Sequence, residues 1–167
     1  NSIYQAAISF TSQNIGAMKY ERVNRIAVTA MGLVTVIGLA MGNLLVLFGR
    51  PLLGLYSDSP AVVEAGMVRL VWICTIYALC GMMEVMVGLM RGMEYSVLPM
   101  IVSLLGACVF RLVWLATVFQ WEGLHKIETV YASYPVSWAL TLFVHIICFL
   151  IIRIKMGKVW AKTVTPV

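Results

Sequence analysis

IAVTAMGLVTVIGLAMGNLLVLF, residues 26–48, runs for 23 residues without a charged side chain. At the rise of an α-helix it reaches about 34 Å, enough to cross a hydrocarbon core of about 30 Å with some tilt. Three further apolar runs follow. Residues 70–90 are interrupted only by Glu84, residues 97–121 only by Arg111, and residues 136–152, at the short limit, contain His145. Four such runs in 167 residues predict an all-α integral membrane protein with four transmembrane helices. Residues 1–17 (NSIYQAAISFTSQNIGA) are less apolar and read as the last turns of a fifth helix and its exit. The chain does not begin with Met and no basic segment precedes those turns, so a signal peptide is not the reading, and an upstream part of the chain is expected.

Composition points the same way. Apolar residues make up 62% and charged residues 11%, against about 25% in soluble domains, and the mean hydropathy is +0.94. These values exclude a disordered chain, a collagenous repeat and a nucleic-acid-binding domain, and argue against a soluble enzyme. The net charge of +5 sits at the ends of the apolar runs, not in a polyanion-binding patch. Cys74, Cys80, Cys108 and Cys148 lie inside the runs without metal-ligand spacing and read as small buried hydrophobes. No nucleophile elbow, zinc-binding helix, P-loop or dinucleotide turn is present, so no enzyme activity and no cofactor are expected.

The links carry the orientation. Lys19, Arg22, Arg25, Arg91, Arg153, Lys155, Lys158 and Lys162 fall on one side, and Arg50, Arg69 and Lys126 on the other. The positive-inside rule makes the first side, with the tail 153–167, cytoplasmic, and the cytoplasmic (inner) membrane is the expected location. Asp58, Glu64, Glu122 and Glu128 lie on the outer side. Trp121, Tyr131, Tyr134 and Trp138 read as an outer aromatic belt, and Tyr20, Tyr95 and Trp160 as an inner one. Ser59 followed by Pro60 is a helix start, so the second helix is expected to begin there and run along the interface before inserting. Pro135 is expected at the start of the last helix.

Three ionisable residues lie within the spans. The 97–121 run has thirteen Val, Ile, Leu or Phe residues. They contribute roughly −4 to −8 kcal/mol, against a cost of about 3 kcal/mol for Arg111. The 70–90 run has eight such residues and must also carry Glu84. Their contribution of roughly −2 to −5 kcal/mol makes this the marginal helix, and its carboxyl group is expected to face protein or a water-filled cavity. Glu84 and His145 each lie about 9–10 Å from the inner helix ends, and Arg111 about 21 Å. Glu84 is therefore the candidate cation or proton site, with helix-to-helix hydrogen bonding as its alternative. His145 and Arg111 are candidate cavity or interhelical polar groups. The pairs Gly38/Gly42 and Gly88/Gly92 put small residues on one helix face for close contact. Met82, Met83, Met86 and Met90 suit an adaptable apolar surface or an ordinary core.

Several short segments, in order and spacing, carry a resemblance. Ser12-Gln13-Asn14-Ile15-Gly16-Ala17 is followed by Lys19 and Arg22, and Gly88-Leu89-Met90-Arg91-Gly92 by Pro99. Asp58-Ser59-Pro60-Ala61-Val62 and Tyr134-Pro135-Val136-Ser137-Trp138 complete the set. Together they resemble the C-terminal lobe of multidrug and toxic compound extrusion (MATE) transporters. Gln13, Asn14, Gly16, Gly88, Arg91 and Gly92 are the motif residues. The resemblance implies part of one six-helix lobe of a twelve-helix antiporter, completed by N-terminal helices of the same chain. It also implies export of small cationic amphipathic compounds in exchange for Na+ or H+ by alternating access. A carboxylate of Na+-coupled members would fall near Cys80, a poor ligand for a hard cation. Either Glu84, one turn later, replaces it, or coupling lies in other helices. A lipid-linked oligosaccharide flippase of the wider superfamily is an alternative, weakened because Arg111 is the one basic residue within a span. A non-transporting membrane subunit, with all three ionisable residues as helix glue, is another.

Overall fold

The computed structural model describes residues 1–164, with side chains through residue 157. Among the described residues it is helical without strands. In chain order the helices are α1 (Ser2–Gly16), α2 (Arg22–Leu47), α3 (Gly49–Gly54), α4 (Pro60–Cys74), α5 (Ala78–Gly92), α6 (Val97–Leu104), α7 (Phe110–Ala116) and α8 (Ile127–Val164). A π-helical turn, Leu105–Val109, joins α6 to α7, and a 3-10 turn, Val118–Gln120, follows α7. Three continuous stretches, Arg22–Leu47, Val97–Gln120 and Ile127–Gly157, are long and apolar enough to cross a membrane. The pair α4 and α5, bent by 44° at its break, makes a fourth. The protein is an all-α membrane protein.

Helix α5 is the hub, packed against α1, α2 and α8. Its Val85, Met86, Leu89 and Met90 are buried together with Ala7 of α1, Val23, Ala27 and Ala30 of α2, and Leu142, Phe149 and Ile152 of α8. These α5 positions recur at helical spacing, which turns one stripe inward and leaves the other side of the helix free for a cleft. Most of the methionine cluster is therefore core: Met86 and Met90 are buried, and Met82 and Met83 pack at its edge.

Helices α1 and α5 leave in the same way. Met18 (φ 56°) and Glu94 (φ 71°) take left-handed backbone just past the helix ends. The amides of Lys19 and Tyr95 donate back to the carbonyls of Asn14 (2.8 Å) and Met90 (3.0 Å). Those of Met18 and Glu94 donate to Ile15 (2.9 Å) and Arg91 (3.0 Å). This is the Schellman pattern, closed here without glycine at the left-handed position. Two of the motif segments named above are these two helix exits.

The boundaries differ from expectation in three places, each for a local reason. The run 70–90 is not one helix. It breaks at residues 75–77, where Gly42 of α2 leaves room for the Cys74 carbonyl and Gly38 for Ala78. A Cβ on Gly38 would lie 2.8 Å from the Ala78 Cα. Helix α8 begins at Ile127, so Pro135 lies inside it and does not start it. The hydroxyls of Ser133 and Ser137 donate to the carbonyls of Val130 (2.6 Å) and Tyr134 (2.8 Å) next to the proline, which itself has no N–H to give the Tyr131 carbonyl one turn back. The third span contains the π turn, where Gly106 abuts Thr141 of α8. The cysteines are free thiols, but contrary to the buried reading Cys74, Cys80 and Cys148 are half-buried and Cys108, in that turn, is exposed. Lys158, Trp160 and Lys162 of the tail lie outside the residues whose side chains are described.

Candidate functional site

The free side of α5 forms one wall of a cleft of about 530 Å³. Tyr77, Met83, Glu84, Val87 and Arg91 line it from the break and α5, Asn1 and Tyr4 from the start of the chain, and Ser103 from α6. A smaller space of about 230 Å³ adjoins it, sharing Tyr77 and Glu84 and adding Cys80 and Gly38. Glu84 is exposed to this space and has no hydrogen-bond or ion-pair partner among the described residues. Arg91, two turns along the same wall, is occupied otherwise. Its Nη1 donates to the Tyr4 hydroxyl at 2.6 Å and ties α1 to α5 at the rim.

Gly88 and Gly92 explain how α1 comes so close. A Cβ on Gly88 would lie 3.0 Å from the Tyr4 carbonyl oxygen, and one on Gly92 2.9 Å from that of Ile8. The small residues thus bring Tyr4 within reach of Arg91. The other motif residues do local work. Gln13 Nε2 donates to Ser9 Oγ at 3.3 Å, Asn14 Nδ2 to the Phe10 carbonyl at 2.8 Å, and Gly16 has nothing within 4 Å.

His145 and Arg111 belong to a neighbouring seam between α8 and the α6–α7 span. Ser133, Ser137, Thr141 and His145 are all buried on one stripe of α8, each four residues after the last. The His145 Nε2 lies 3.3 Å from the Pro99 carbonyl oxygen and 3.4 Å from Ser103 Oγ. Its Nδ1 has no partner among the described residues. Ser103 therefore both lines the Glu84 cleft and reaches His145, while no hydrogen bond links Glu84 to either of them among the described residues. Arg111 Nε donates to Ser137 Oγ at 3.1 Å. The guanidinium lies over the Tyr134 ring at 4.1 Å and near that of Trp138 at 5.9 Å, both cation–π contacts. Trp138 in turn meets Tyr77 edge-on at 6.2 Å. Of the residues assigned to the outer aromatic belt, Trp138 is thus interior, only 6% exposed, and Tyr134 is half-buried. The reason is that a guanidinium within the protein recruits their ring faces.

The sequence reading missed Tyr4, Tyr77 and Ser103, which carry no periodic signal of their own. It also passed over the hydroxyl stripe 133/137/141, although its four-residue spacing with His145 was visible. Among the described residues no group of three or more His, Cys, Asp or Glu gathers to hold a metal ion.

A bundle of apolar helices around a hub, three or four of them long enough to cross a membrane, defines a multi-pass membrane protein. A family model described as MatE matches residues 1–117. The chain belongs to the MATE family of membrane transporters. No curated protein matches it.

Proposed function

We propose that this chain forms part of the C-terminal lobe of a secondary active antiporter that exports small cationic amphipathic compounds in exchange for Na+ or H+. The observation that carries this reading is Glu84: a carboxylate on a largely apolar helix, unpaired, facing a cleft shared with Tyr77 and Tyr4. A carboxylate kept at that depth costs insertion energy, and an ion or proton path is its most economical use. Aromatic rings beside it suit an organic cation. Arg111 is held between helices by Ser137 and two rings, and His145 by its Nε2 contacts, so both serve as positioning groups, which separates their role from that of Glu84. Alternating access needs the preceding helices of the same chain as the opposing lobe, and no cofactor other than the coupling ion. The tail beyond α8 lies on the cytoplasmic side of the inner membrane in this reading, as the lysine and arginine bias requires.

Glu84→Gln in the full-length protein tests it. The expected result is loss of efflux of a cationic dye with normal protein in the membrane. Wild-type efflux by the variant would make Glu84 structural and remove the coupling role.

A further inference from the structure

A groove of about 420 Å³ runs between α1 and α2. Its floor is the buried Ala7 and Ala30, its rims are the exposed Phe10 and Leu33, and Ile26 fills one wall. Arg25 closes the end near the α1–α2 turn. Along α2 the groove extends about 12 Å from Arg25 to Leu33.

Charge is gathered at one end only. Lys19, Arg22 and Arg25 crowd the turn, where Glu21 is the one acidic residue. Arg153 of α8 adds a further guanidinium there, its Nε donating to Asn24 Oδ1 at 3.0 Å. Arg25 itself has no hydrogen-bond or ion-pair partner among the described residues, although it lines the groove. An apolar trough open along its length, with an unpaired guanidinium at the end where the helices leave the hydrocarbon, matches one chemistry: an acyl chain attached to an anionic headgroup.

We infer that this groove holds an anionic phospholipid of the leaflet next to the α1–α2 turn. The acyl chain lies over Ala7 and Ala30 between Phe10 and Leu33. The phosphate meets Arg25, and Lys19 and Arg22 add to the local field. Each basic side chain near a bilayer surface adds about a fivefold preference for an anionic lipid.

The test uses purified full-length protein in detergent, offered phosphatidylglycerol or phosphatidylcholine of the same chain length and read by native mass spectrometry. Wild type is expected to retain phosphatidylglycerol at least about fivefold better, and Arg25→Gln to lose about that factor of preference. Thr29→Trp, at an exposed groove-lining position, is expected to lower retention of both lipids alike while leaving the melting temperature of the protein intact. Equal retention of the two lipids by wild type, an unchanged ratio in Arg25→Gln, or unchanged retention in Thr29→Trp would each overturn the inference. So would a Thr29→Cys variant that cross-links to another segment of the same chain while retaining no lipid, because the groove would then be covered by protein.

Discussion

Gly92→Ala is expected to destabilise the protein, and the structure sets the size of the effect. Gly92 is buried at the end of α5, against α1. A Cβ there would lie 2.6 Å from Thr11 Cβ, 2.9 Å from the Ile8 carbonyl oxygen and 3.0 Å from Thr11 Cγ2. Carbon atoms at rest sit about 3.5–4.0 Å apart. A Thr11 rotamer change moves Cγ2 but neither Cβ nor the Ile8 backbone, so α1 must move away from α5. That shift also strains the Arg91–Tyr4 hydrogen bond at the cleft rim. Overpacking of this kind costs about 1–3 kcal/mol. Replacing glycine recovers at most about 1 kcal/mol of helix propensity, and less at a last helical residue. The net loss is about 1–2 kcal/mol, a factor of roughly 5–30 in the folded-to-unfolded ratio. Thermal unfolding of the full-length protein in one detergent measures it, with Gly32→Ala as the comparison. Gly32 lies mid-α2 with nothing within 4 Å of a new Cβ, so that variant should match or exceed wild type. If Gly92→Ala unfolds no earlier than Gly32→Ala, the close α1–α5 contact is wrong.

Other substitutions probe separate parts. Arg111→Ala removes a charged donor from Ser137 and a cation from two rings, a loss of about 1.5–3 kcal/mol for the hydrogen bond alone. Protein abundance in the membrane should fall before substrate choice changes; normal abundance with altered selectivity would contradict this. Glu94→Gly relieves a left-handed residue at φ 71° and should raise stability by about 1 kcal/mol, read by thermal unfolding. A lower midpoint would show that the Glu94 side chain does something the turn does not reveal. Arg50 and Glu64 pair at 2.9 Å with side chains 67% and 60% exposed. Glu64→Gln should therefore change stability by less than about 1 kcal/mol, and a larger, salt-insensitive loss would count against an exposed pair.

Much of the fold was legible because lipid imposes a one-dimensional rule. A backbone in hydrocarbon must satisfy its own hydrogen bonds, so long apolar runs become helices whatever their neighbours do. The start of α4 at Pro60 was visible from Ser59 and the proline alone, and the end of the apolar run at residue 90 fell within two residues of the α5 end at Gly92. The break at residues 75–77 was not, because its cause lies on another helix, in the space left by Gly38 and Gly42. Pro135 reads as a helix start because proline favours that position, whereas α8 already begins at Ile127 and carries the proline inside it. Among candidate site residues, Glu84 stood out by its charge, whereas Tyr4 and Ser103 are ordinary residues until α1 and α6 fold against α5.

The sequence by itself determined the class of protein, the number of apolar spans and the three residues whose ionisable groups lie among them. Charge and hydropathy are properties of each residue, and lipid reads them one helix at a time. Only the tertiary structure decided what those residues meet. It left Glu84 open to a cleft while it closed Tyr134, Trp138 and Ser137 around Arg111, and Pro99 and Ser103 around His145. Those partners come from helices far apart in the chain, and their meeting depends on helix rotation, on a bend and on a π turn. The bend and the π turn lie where Gly38, Gly42 and Gly106 let another helix come close, and these small residues carry no charge signal.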